Sequence, residues 1–175
     1  MDPFLLGSVY KAVAQSPLEH PLKRAYVIEV DAPRMARRIG LQLKLPAAFP
    51  EHSLPPSRAF YWIDQQDPAK AVAFAKAAYR KYWLHGCATS DAAVAVDAAA
   101  SVGYDPKAVL EGMQRSETKE RLIFENEQAI HRGVFGSPFF FADGEPFWGS
   151  DRISLMLGEP MAQAAAAAGP GRPVT

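Results

Sequence analysis

Residues 133–152 read Gly-Val-Phe-Gly-Ser-Pro-Phe-Phe-Phe-Ala-Asp-Gly-Glu-Pro-Phe-Trp-Gly-Ser-Asp-Arg, and their order decides the fold. Phe139–Ala142 is a short aromatic run with strand preference. Asp143-Gly144 is a dipeptide that closes tight hairpins because both residues tolerate positive φ. Pro146-Phe147-Trp148 returns as a second strand before Gly149 interrupts it. Ser150 or Asp151 then offers a side-chain oxygen to cap a helix on which Ile153, Met156 and Leu157 follow helical spacing. The stretch predicts strand, turn, strand, helix.

Two features inside it bear on function. Ser137-Pro138 stands directly before a strand, where an X–Pro bond can be held cis. That geometry turns the preceding N–H and C=O outward, and an extended ligand can pair with them as an added strand. Gly149-Ser150-Asp151 is a helix start, with unpaired N–H groups that favour a carboxylate. The residues alone also allow an ordinary hairpin with a proline turn and an ordinary cap.

Working outward, Leu5, Leu6, Val9, Tyr10 and Val13 recur at helical spacing almost from the first residue. Gln15 to Pro21 reads as a loop. Asp31 with Pro33 reads as a cap and first turn, followed by Met35 and Ile39 on one face, Arg34, Arg37 and Arg38 on the wet face, and Gly40 as a stop. Prolines 46, 50, 55 and 56 predict a long irregular crossing from Leu45 to Pro56. A helical block follows. Asp67-Pro68 opens a helix with Val72, Ala75, Tyr79 and Tyr82 on one face, ending at Gly86. Ser90-Asp91 opens a second, Asp105-Pro106 a third, and Glu117–Arg132 forms a fourth that turns Leu122, Ile123, Ala129 and Ile130 inward. Trp62, Tyr79, Tyr82 and Trp83 are expected in the core, because each aromatic gains so much from burial.

Composition narrows the function. Lys+Arg and Asp+Glu balance at 19 each, which disfavours nucleic acid as a partner. No apolar run approaches the ~18 residues of a membrane span, and Met1 is not followed by a charged-then-apolar signal. A soluble, cytoplasmic protein without a metal site is the expectation. Cys87 is the single cysteine, so no internal dithiol exists and self-contained redox chemistry is removed.

Val134-Phe135-Gly136-Ser137-Pro138, the Asp143-Gly144 hairpin and Phe147-Trp148-Gly149-Ser150-Asp151-Arg152 resemble the C-terminal signature of the 2-hydroxychromene-2-carboxylate isomerases and the related kappa-class glutathione transferases. Both are thioredoxin-like and akin to the disulfide-oxidoreductase A proteins. The resemblance implies an α/β, thioredoxin-like fold with a large all-helical insertion. It divides the chain into 1–45 (N-terminal remainder and connecting helices), 46–132 (helical insertion), 133–160 (hairpin and helix) and 161–175 (a disordered tail). Pro3-Phe4-Leu5-Leu6-Gly7 matches the segment after the family's second strand, so the chain is expected to lack the opening strand, helix and strand, with the family's serine among them.

The implied cofactor is glutathione. Its cysteinyl part would pair with the backbone of Ser137 ahead of Pro138, and its γ-glutamyl end would meet Ser150 and Asp151. Lys23, in a Pro-x-Lys-x-x-Tyr pattern with Tyr26, and Gln15, at the place of a family asparagine, would approach the tripeptide. Arg152 would brace the cap. A small aromatic substrate and a homodimer complete the implied set. The implied activity is glutathione-dependent isomerisation in aromatic catabolism, without an assigned catalytic residue. The alternatives are a non-catalytic glutathione- or peptide-binding domain, or a transferase or thiol–disulfide oxidoreductase relative. The last would require a reactive Cys87.

Overall fold

The computed structural model describes residues 1–14 and 20–158. Gln15 and the tail after Pro160 therefore lie outside the described residues. The chain forms two compact units, Met1–Gly133 and the part from Val134 onward.

The first unit is helical. α1 (Leu6–Ala12) is preceded by an extended segment that two side chains hold in place. The Leu5 N–H donates to Asn126 Oδ1 at 2.7 Å, and the Tyr61 hydroxyl donates to the Pro3 carbonyl at 2.6 Å. Next comes one continuous helical run: α2 (Pro21–Ala25), a wider π-type segment (Tyr26–Asp31) and α3 (Ala32–Arg38). Pro21 thus begins a helix rather than ending a loop. Asp31 is not a cap either. It has helical dihedrals because the helix already runs through it, and its carboxylate accepts from Arg34 instead. No side chain from Pro21 to Arg38 is buried, and Met35 and Ile39 lie exposed.

The core is built by α4 (Leu54–Asp64), α5 (Pro68–His85), α6 (Ala92–Ala100), α7 (Pro106–Gly112) and α8 (Ser116–His131). α4 begins at Leu54, so the prolines at 55 and 56, expected in the irregular crossing, lie inside its first turn. Prolines in a first turn give up only N–H groups that have no helical acceptor. Ala59, Phe60, Tyr61, Trp62 and Ile63 are buried in succession, so α4 is covered on every side, as a helix at the centre of a bundle must be. Its rings meet neighbours edge to face: Phe60 on Tyr61 and Trp62 on Tyr104, each with centroids 5.4 Å apart. Gly112 allows α7 against the Trp62 indole, since an added Cβ there would overlap the ring.

Sequence punctuation sets the ends of these helices. Asp67, Asp91 and Asp105 each accept a first-turn backbone N–H, from Lys70, Ala93 and Ala108 at 3.0, 2.8 and 2.9 Å. Gly86 ends α5 in the left-handed conformation that glycine takes freely. The faces differ in part from the periodicity reading. On α5 the buried set is Ala71, Phe74, Ala75 and Tyr82, while Val72 and Tyr79 are exposed. On α8, Leu122 and Ala129 are buried but Ile123 and Ile130, about 100° further round, are exposed.

The second unit holds β1 (Phe139–Ala142), β2 (Glu145–Trp148), a 3₁₀ turn (Ser150–Arg152) and α9 (Ile153–Met156). The strands pair antiparallel, Phe139 with Trp148 through Ala142 with Glu145. Asp143 and Gly144 close the hairpin with φ of 50° and 86°, the left-handed pair that the two-residue turn requires.

Candidate functional site

The open end of the hairpin, away from its turn, gathers four of the six residues singled out from the sequence. Chain direction brings Ser137-Pro138 into β1, and β2 delivers Gly149, Ser150 and Asp151 beside them. The Ser137–Pro138 bond is cis. The Gly149 N–H donates to the Pro138 carbonyl at 3.0 Å, so the residue after the cis bond and the residue before Ser150 touch directly. Gly149 sits at φ 101°, and a Cβ there would strike Asp151 Oδ1. Only glycine allows this carboxylate to fold back over the end of the strand.

Asp151 Oδ2 accepts from Arg152 Nη1 at 2.6 Å, an exposed pair that orients the carboxylate more than it stabilises the fold. Ser150 and Asp151 do not cap, contrary to the sequence reading: neither side chain accepts a helix N–H. The helix start is a 3₁₀ turn followed by a single α-helical turn, too short for a sizeable dipole, so the polar groups it presents are the Ser150 hydroxyl, backbone N–H groups and the Asp151 carboxylate. Ser137 is exposed, and its backbone makes no hydrogen bond to the described residues. It is a free strand end next to a fixed carboxylate.

An aromatic group that the sequence showed only as strand residues adjoins this end. Phe135 meets Phe139 and Trp148 edge to face, with centroids 5.3 and 5.0 Å apart, and Phe139 lies 5.2 Å from Phe141. Gly136 is buried against the Trp148 indole, where a Cβ would overlap Nε1. The glycine two residues before Pro138 was the available signal for this packing.

Lys23 is exposed on α2 in the first unit, and Gln15 falls outside the described residues. In the first unit the crossing loop is well tied: Arg24 Nη2 donates to the Phe49 carbonyl at 2.5 Å, Thr89 Oγ1 to the His52 carbonyl at 3.2 Å, and Ser90 Oγ to Glu51 at 2.7 Å. His52 itself is exposed there, and Cys87 is half-buried. Among the described residues no cluster of His, Cys, Asp and Glu could hold a metal, and no helix is long and apolar enough to cross a membrane.

A thioredoxin-like hairpin with a cis-proline at its mouth, entered from a helical insertion, defines a class of protein, and comparison with known families agrees. Residues 1–159 match the family model of the DSBA-like thioredoxin domain, and the chain belongs to that family.

Within it, the chain is similar to the 2-hydroxychromene-2-carboxylate isomerase of Sphingobium xenophagum, 32% identical over 130 residues, which are 74% of this chain and 65% of the relative. The isomerase of the same name from Pseudomonas putida is 26% identical over 129 residues, covering 74% and 62%. The chain thus spans somewhat less than two thirds of the length of these relatives. A solved 2-hydroxychromene-2-carboxylate isomerase superposes with a TM-score of 0.80 at 25% identity, over 95% of this chain and 79% of that one.

Proposed function

We propose that this chain binds glutathione at the open end of its hairpin and serves a glutathione-dependent isomerisation of the 2-hydroxychromene-2-carboxylate kind. The observation that carries the reading is the Gly149 N–H to Pro138 O hydrogen bond. It places a free strand end, at Ser137, within one small peptide's span of a hydroxyl and an oriented carboxylate, at Ser150 and Asp151.

These groups match the two ends of the tripeptide. The Ser137 backbone can pair with the cysteinyl amide as a strand does, which fixes the position of the sulfur without altering its reactivity. Ser150 Oγ and the adjacent N–H groups suit the γ-glutamyl carboxylate. Asp151, whose Oδ1 is not taken by Arg152, suits the ammonium. Glutathione when bound supplies a thiol nucleophile, whose reversible addition would make a double bond of the ring-opened substrate rotatable. Positioning is the task assigned to residues 137–151. Lys23 and Gln15 are proposed as further contacts of the tripeptide, and a second copy of the chain as its partner. Activation of the thiol is assigned to no residue of this chain, so a tripeptide-binding domain without turnover is the form this function takes where no activating group is supplied.

Calorimetric titration of the full chain with glutathione tests the reading. A dissociation constant in the micromolar-to-millimolar range is expected, weakened roughly tenfold in Asp151→Ala by loss of one charge-assisted contact. Absence of binding by the folded chain sinks the proposal. Conversion of 2-hydroxychromene-2-carboxylate only when glutathione is present would establish the reaction. Binding without conversion, and with an unshifted thiolate absorbance titration, would reduce the function to binding.

A further inference from the structure

We infer that the Phe135–Trp148 face at the open end of the hairpin is the seat of a planar aromatic substrate ring, an inference that rests on the function proposed above and adds the residues that hold the second reactant. Trp148 is 53% exposed and Phe135 40% exposed, although the two rings are in contact. A tryptophan that packs on a neighbour usually brings the pair under cover, because each such ring gains from burying 150–250 Å². Here the packing fixes the ring and leaves it wet.

Three constraints hold the indole still: the Phe135 ring at 5.0 Å, Phe139 paired with Trp148 across the strands, and the Gly136 backbone against its Nε1 edge. The Phe135 and Trp148 planes meet at 65°, an edge-to-face contact that cannot cover both faces of both rings. The result is a rigid aromatic surface that loses little side-chain entropy when a flat ligand stacks on it.

Position names the occupant. Trp148 immediately precedes Gly149, and Phe135 lies against Phe139, which follows Pro138. The surface therefore adjoins both halves of the proposed tripeptide site, where a ring awaiting attack by a bound thiol has to lie. The ligand class is a planar fused aromatic acid, as the chromene carboxylates named for the relatives are.

Chromone-2-carboxylate, a flat bicyclic analogue, is the probe, with the three indole Nε1–H resonances of the full chain followed by NMR. The Trp148 signal, assigned by its loss in Trp148→Phe, should move on titration while those of Trp62 and Trp83 stay. Trp148→Ala should weaken binding roughly 3- to 10-fold and Phe135→Ala by less, with glutathione affinity unchanged and Trp148→Tyr keeping most of the affinity.

Shifts confined to the other two indoles, or equal affinity in a Trp148→Ala protein that keeps its circular dichroism, overturn the inference. So does a Trp148 signal that moves with protein concentration alone, which would mark the surface as a contact between copies. If glutathione binds and the chromone does not, this inference fails and the tripeptide site stands. If the chromone binds at Trp148 and glutathione does not bind the folded chain, the ring seat stands and the tripeptide site fails.

Discussion

Trp62 and Trp148 are each packed against a glycine that has no room for a Cβ, Gly112 in one case and Gly136 in the other. Trp62 is 6% exposed and Trp148 53%. The same device thus serves two ends. In the helical body, glycine lets a second helix close over the indole, and the ring becomes core. In the hairpin, glycine lets the strand's own approach pin the indole from behind while solvent keeps the rest. What surrounds a large ring, rather than the ring itself, separates a stabilising residue from a binding residue.

Paired truncations give the largest expected effect. Trp62→Ala removes a buried indole and leaves a cavity under Gly112, so about 3–5 kcal/mol of stability should vanish in urea unfolding. Trp148→Ala should cost less than about 1 kcal/mol, because most of its surface is already in water. Equal losses would break the comparison and make the hairpin's aromatic face a second core.

Alkaline pH gives the next effect. Burial pushes the Tyr61 hydroxyl well above its ordinary value of 10, with the charges of Glu125 and Asp2 acting in the same direction. The sign follows from proton counting. Above about pH 10 the unfolded chain releases this proton while the folded chain holds it, so stability is intact below pH 10 and declines as pH rises beyond it, by up to about 1.4 kcal/mol per pH unit from this group. Residues 134–158 contain no tyrosine, so this sensitivity belongs to the helical body. Tyr61→Phe should lose about 1 kcal/mol at neutral pH with the bond to the Pro3 carbonyl, yet fall less steeply from pH 10 to 11. Parallel pH profiles for the two proteins would remove Tyr61 as the source.

Legibility in the sequence followed the range of the forces involved. Asp67, Asp91, Asp105, Gly86 and the Asp143-Gly144 turn act within one or two turns of chain, and each is where the sequence places it. The order of elements and the thioredoxin-like class were legible for the same reason, since the hairpin signature is contiguous. Asp31 misled because a local capping signal was overridden by a helix already running from Pro21. Ile123 and Ile130 misled because helical spacing identifies an apolar stripe but not whether another element covers it. In the candidate site, Ser137, Pro138, Ser150 and Asp151 were named in advance. Their meeting depends on the strand register, and the Trp148–Gly136 contact depends on the pairing of Phe139 with Trp148, neither of which a linear pattern displays.

The smallest effect concerns Thr118, in the first turn of α8. It is fully buried, and its hydroxyl finds no hydrogen-bond partner among the described residues. A buried hydroxyl that exchanges water for nothing costs free energy. Thr118→Val keeps the branched shape and replaces the hydroxyl by a methyl group. It should therefore raise stability by about 1 kcal/mol, read as a shift of the urea midpoint at constant slope. The hairpin offers the matching control in Ser150→Ala, where an exposed hydroxyl should change stability by less than about 0.5 kcal/mol while weakening glutathione. A destabilised Thr118→Val would mean that the hydroxyl has a partner in the folded chain. The helical body would then hold one more buried polar contact beside those of Tyr61 and Asn126, and the contrast with the polar hairpin mouth would narrow.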